Sequence, residues 1–123
     1  MAISSAQQGI LDLIVNGWTL YRLEARIDQT MIAAKTVIAS GEWAQTVQPR
    51  TTEALERQRL IQRDKPRRRG TKEYYSPEHG GTQDIWEIMY DLTDAGRMAA
   101  RVADNPEYLP PSGHVYPSKD IDI

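Results

Sequence analysis

The stretch VQPRTTEALERQRLI, residues 47–61, is where the fold of this chain is decided. Pro49 restricts the entry, Thr51 or Thr52 offers a side-chain cap, and Glu53 and Glu56 suit the positive end of a helix dipole. Ala54 and Leu55, followed by Leu60 and Ile61, supply an apolar side. The spacing predicts a helix over residues 50–59, after which Leu60-Ile61-Gln62-Arg63 turns extended.

Upstream, Ser4 or Ser5 can cap a first helix over residues 4–16, whose stripe is Ile10, Leu11, Leu13 and Ile14 and whose end is marked by Asn16-Gly17. In the following segment, 18–27, Tyr21, Leu23, Ala25 and Ile27 alternate with Arg22, Glu24 and Arg26, the period of a strand with one wet face. Residues 30–40 (TMIAAKTVIAS) fit either a returning strand or a short helix, the hairpin strand being the preferred reading. Trp43 is read as the approach to the helix at 50–59.

Downstream, residues 64–84 are polar and rich in turn formers, and read as one long loop of the kind that is functional or mobile. A strand returns over 85–92, with Trp86, Ile88, Tyr90 and Leu92 on one face. Thr93 then caps a last helix reaching Arg101. Beyond Asn105-Pro106 the pattern fades into a Pro-rich, irregular tail, so the expected division is a domain at 1–104 and a tail at 105–123.

Two ordered motifs, the run 47–61 and Tyr90-Asp91-Leu92-Thr93-Asp94-Ala95-Gly96-Arg97, together resemble winged helix-turn-helix regulators of the MarR and PadR type over roughly residues 47–101. The resemblance implies an α+β fold with a small antiparallel sheet, a recognition helix at 50–59 and a β-wing behind it. Such proteins carry glycine just before the Leu-Ile pair, where the helix ends left-handed. Here Arg59 stands there, so that turn either differs or bears strain. The resemblance also implies double-stranded DNA as partner and a homodimer matched to two-fold operators.

Charge agrees with a polyanionic ligand. The chain of 123 residues has a formal net charge of −2, but residues 50–72 hold nine Lys/Arg against three Asp/Glu, which leaves the remainder at −8. The candidate nucleic-acid-binding residues are Arg50, Thr52, Glu53, Arg57 and Arg59 on the helix, with Arg63, Lys65, Arg67, Arg68, Arg69 and Lys72 behind it. The helix residues would meet phosphates or base edges in the major groove, and the others would neutralise phosphates or enter the minor groove. Tyr74 and Tyr75 could back the wing. The bland alternatives are a solvated helix face with a Glu53–Arg57 pair and a merely soluble basic loop. A protein-interaction module of the phage-inhibitor or antitoxin kind is the competing functional class, and in the antitoxin form the tail would wrap the partner.

Other chemistry is sparse. The absence of Cys excludes disulfides, thiolate metal sites and cysteine nucleophiles, and fits a reducing, cytoplasmic setting. His79 and His114 have no neighbours at ligand spacing, so no metal or other cofactor is expected. Glu78-His79-Gly80-Gly81 reads as a wing tip rather than a catalytic loop. No nucleophile or phosphate-loop motif is present, and the chain is read as a non-enzyme. No stretch approaches the roughly 18 apolar residues of a membrane span. Trp18, Trp43 and Trp86 are expected in core or hairpin packing, whereas an exposed Trp43 would point to a dimer or partner surface.

Overall fold

The computed structural model describes residues 3–75, 80–103, 105, 108, 110 and 115–117; of 74, 75 and 80 only the backbone is described. The first helix, α1 (Ser5–Val15), begins on a capping box: the Ser4 hydroxyl accepts from the Gln7 amide and the Gln7 side chain accepts from the Ser4 amide. It closes at Asn16, and Gly17 takes the positive φ of 99° that lets the chain reverse into a strand.

Three strands follow, β1 (Thr19–Ile27), β2 (Thr30–Ser40) and β3 (Trp43–Val47), then α2 (Pro49–Arg57) and a short β4 (Ile61–Arg63). The long strands β5 (Arg67–Tyr75) and β6 (Gly80–Leu92) lead to α3 (Asp94–Ala99) and a two-residue β7 (Tyr116–Pro117). All the pairings are antiparallel. The sheet runs β4-β6-β1-β2-β3-β7, and β5 also pairs with β6. Because β4 meets residues 90–92 of β6 and β5 meets residues 80–87, the two follow one another along the same side of it.

This architecture overturns the winged helix-turn-helix. Strands β1, β2 and β3 occupy the chain between α1 and α2, so α2 has no helix before it with which to form a helix-turn-helix. The region expected as a loop, 64–84, holds β5 and the start of β6. Its outward and inward residues are both polar because this half of the sheet has solvent beside it, so the period-2 signal was missing. Trp43 opens a strand rather than leading into a helix, and the segment expected as an irregular tail adds β7 to the sheet edge. The strand reading of residues 30–40 agrees with β2, which pairs with β1 through a turn at Asp28-Gln29, both at positive φ.

On β1, residues 20, 22, 24 and 26 share one face, since side chains alternate along a strand. Register turns that face into rows. Arg63, Tyr90, Leu20, Ile38 and Gln45 lie side by side across five strands. Further along come Arg68, Trp86, Glu24 and Ala34, then Thr71, Asp84, Arg26 and Met31. Among the described residues the helices cover only the Leu20 end. There Leu11 and Leu13 of α1, Leu55 of α2, and Leu60, Ile61 and Leu92 enclose Trp18, Leu20, Ile38 and Tyr90. Each fully buried leucine contributes about 2 kcal/mol of hydrophobic stabilisation. The opposite face carries a smaller cluster of Leu23, Ala25 and Ile85 with Tyr21 packed on it.

The motif Tyr90–Gly96 that carried the resemblance is a packing lock. Thr93 accepts from the Gly96 amide as the cap of α3, while its hydroxyl donates to the Arg59 carbonyl at 2.7 Å. The Thr93 amide donates to the Leu60 carbonyl at 3.1 Å. A Cβ at Gly96 would overlap that same carbonyl oxygen, so only glycine lets α3 approach. Arg59 holds φ at 58°, the left-handed turn where glycine would be relaxed, and so bears the strain.

The polar side of α1 holds a distant piece of chain. Asp12, buried, accepts from the Arg101 and Val102 amides, Gln8 donates to the Ala99 carbonyl, and Asn16 bonds both Val102 and Asn105. Trp18 Nε1 adds a bond to the Tyr108 carbonyl. Spaced four apart, Gln8, Asp12 and Asn16 form one stripe, and it satisfies backbone groups that no secondary structure pairs.

Candidate nucleic-acid interface

The basic residues from α2 onward line one margin of the sheet. Helix α2 starts with Pro49 at its first turn and Gln48 at the cap position, without a side-chain cap. Thr52 is neither a cap nor a contact for base edges: it is 2% exposed and its hydroxyl donates to the Pro49 carbonyl. Arg50 and Glu53 are exposed near the helix start, and Arg50 Nε donates to the Gln48 side chain. Among the described residues the Glu53–Arg57 pair does not form; the helix carboxylate in use is Glu56, which holds Arg63 at 2.8 Å.

Arg57 and Arg59 are exposed at the far end of α2, and Lys65 and Arg67 are exposed along the outer margin of β6. Among the described residues these four form no ion pair. Register sets Arg63 opposite Tyr90 and Lys72 opposite Gln83, so the basic margin extends about 23 Å along β6. Within it, Arg68 pairs with Asp84 at 2.8 Å and Arg69 with Glu87 at 3.7 Å. Both pairs are largely exposed, and such pairs hold their side chains weakly. The candidates thus divide: Arg57, Arg59, Lys65 and Arg67 are unmatched by carboxylates, Arg63, Arg68 and Arg69 are matched, and Thr52 is withdrawn.

A second cationic group escaped sequence reasoning. Glu24 lies on central strand β1 with its side chain 8% exposed, and both neighbours on its face, Arg22 and Arg26, bond it. Burial pushes the Glu24 carboxyl up, but the hydrogen bonds from Arg26 and Arg22 outweigh it and hold the group below the usual carboxylate range. Arg26 also lies over the Trp86 ring at 5.1 Å from its centroid, and Arg63 lies over Tyr90 at 5.7 Å. In sequence the alternation Arg22-Glu24-Arg26 reads as a wet face. Linking it to Trp86 required the β1–β6 register.

Elsewhere, a cleft of about 350 Å³ between α1 and the β3–α2 junction is lined by residues such as Ser5, Leu13, Gln45, Val47 and Thr51, with no charged residue in its described lining. Among the described residues no three His, Cys, Asp or Glu groups converge as metal ligands, and no helix is long and apolar enough to cross a membrane. His79, His114 and Glu78 lie outside the described residues, as do the side chains of Tyr74 and Tyr75. Trp43 is 47% exposed, whereas Trp18 is buried. No family model, curated protein or solved structure matches the chain.

Proposed function

We propose that the protein binds nucleic acid, gripping phosphates along the margin from Arg57 to Lys72, and that it acts by binding rather than catalysis. One observation carries this reading: Arg57, Arg59, Lys65 and Arg67 are exposed on one margin and, among the described residues, have no carboxylate partner. Free cations release counterions when they meet phosphates, and arginine forks suit phosphate oxygens. The −8 balance of the chain outside residues 50–72 supports a single docking side, since a polyanion is repelled elsewhere.

Fluorescence anisotropy with labelled 20-residue single strands and duplexes tests the proposal at two salt concentrations. Four phosphate contacts on a duplex give a log–log salt slope of about −3.6, or roughly a hundredfold loss of affinity between 50 and 200 mM salt. A folded protein that binds neither ligand at low salt ends the proposal.

Trp43 favours a second reading, a protein-interaction surface, because a half-exposed indole on the opposite sheet margin suits a partner or a second copy. Sedimentation of the protein and of Trp43→Ser tests the second-copy form. A dimer that the substitution converts to monomer supports it, and a monomeric parent removes it.

A further inference from the structure

We infer that the ligand of this margin is single-stranded nucleic acid laid across the bare half of the sheet, with bases stacking on the Arg26–Trp86 pair. The inference rests on the nucleic-acid reading and names its ligand class. Past the Leu20 row no helix among the described residues covers the face: Ile88, Thr36 and Glu24 in its middle are buried, but Arg68, Ala34, Thr71 and Met31 around them are exposed. The middle of the face presents planar groups. Trp86 sits at its centre, Arg26 lies over the ring, and Glu24 fixes that guanidinium by two hydrogen bonds. A planar group held in place is a platform for an unpaired base, and sheet faces with aromatic and arginine planes suit splayed-out bases.

Charge completes the fit. Arg22, Arg26, Arg63 and Arg68 share this face with Glu24, Glu56 and Asp84, and every one of those carboxylates is already bonded to one of the arginines. A phosphate backbone arriving from the Lys65–Arg67 margin therefore meets no unpaired carboxylate among these groups. A duplex fits less well. Its bases are read from the grooves by a protruding helix or ribbon, whereas α2 has nine residues, a buried Thr52, and Glu56 committed to Arg63.

Anisotropy of a labelled 20-residue oligodeoxythymidine, a duplex of equal length and competing linear polyphosphate distinguishes the possibilities. The single strand is expected to bind about tenfold tighter than the duplex at low salt. Trp86→Leu should lower single-strand affinity by about 5- to 100-fold while leaving polyphosphate affinity unchanged, as expected for a lost stacking contact. Should Trp86→Leu fail to fold, Arg26→Lys serves, since it keeps the charge and removes the plane, and it should weaken the single strand but not polyphosphate. Equal or tighter duplex binding, or an unchanged single-strand affinity in the folded variants, overturns the inference and leaves the nucleic-acid reading standing. Binding of none of the three ligands overturns that reading itself.

Discussion

Arginines stand on two strands of one sheet in opposite circumstances. On β1, in the middle, Arg22 and Arg26 flank a buried Glu24, have side chains 16% and 25% exposed, and are each bonded to it. On β5, at the margin, Arg68 is 57% exposed and leans on a 44% exposed Asp84, while Arg67 has no carboxylate among the described residues. An interior strand has neighbours on both sides, so a charge there must find a partner or be expelled. A margin strand has water beside it and tolerates unmatched charge, which also deters edge-to-edge aggregation. Strand position, more than residue type, decides which arginines are held by a buried carboxylate and which offer exposed charge to a phosphate.

The largest effect that separates the two regions is on stability at Glu24. Glu24→Ala leaves two half-buried guanidinium groups unpaired and should lower unfolding free energy by about 3 kcal/mol in urea titrations. A loss below 1 kcal/mol would place β1 in the same class as the margin. Next comes the converse. Replacing Arg57, Lys65 and Arg67 together by Ser should reduce nucleic-acid affinity about a hundredfold at low salt, with stability unchanged within about 0.5 kcal/mol. A stability loss as large as that of Glu24→Ala would erase the contrast.

Acid sharpens it further. Because the Glu24 carboxyl is held below its ordinary 4.5, the unfolded chain takes up the proton first as pH falls. The stabilisation is therefore complete above that ordinary value and is lost as pH drops through the lowered folded value. Stability of the parent should fall in this acid window more steeply than that of Glu24→Gln, measured by denaturant midpoints. The smallest effect is at Arg59, whose φ of 58° favours glycine. Arg59→Gly should raise stability by about 0.5 kcal/mol while weakening nucleic-acid binding, so strain would be relieved at the expense of a contact.

Much of the local structure was legible. Ser4, one of the two caps the sequence offers, marks the start of α1, the alternation after Trp18 marks β1, and Thr93 marks the cap of α3. The extended exit after Leu60 and the strand ending at Leu92 were both legible, and in the fold they pair, with Ile61 opposite Leu92. The fold was not legible, because the Tyr90–Gly96 motif reports a local event. Thr93 and Gly96 close on the Arg59 and Leu60 carbonyls, and that contact is compatible with more than one architecture. Strand β5 was hidden because Arg67, Arg68 and Arg69 show no apolar period, a pattern that reflects burial more than backbone preference. Of the candidate site, the clustering of basic residues at 50–72 was readable from charge alone, but their line-up along β6 was not. The Arg26–Trp86 stack was not, since only strand register brings those two residues together.

The stripe Gln8-Asp12-Asn16 has a consequence in time. Helix α1 is synthesised long before its partners, since the amides that donate to Asp12 come from residues 89 and 90 positions later. During translation Gln8, Asp12 and Asn16 have only one another and the Asp12 carbonyl as partners, and the seam closes when residues 99–105 have emerged. Contacts of such sequence separation form slowly, because the intervening loop must first be ordered. Truncation near residue 99 would therefore leave the polar stripe of α1 without the residues it fastens.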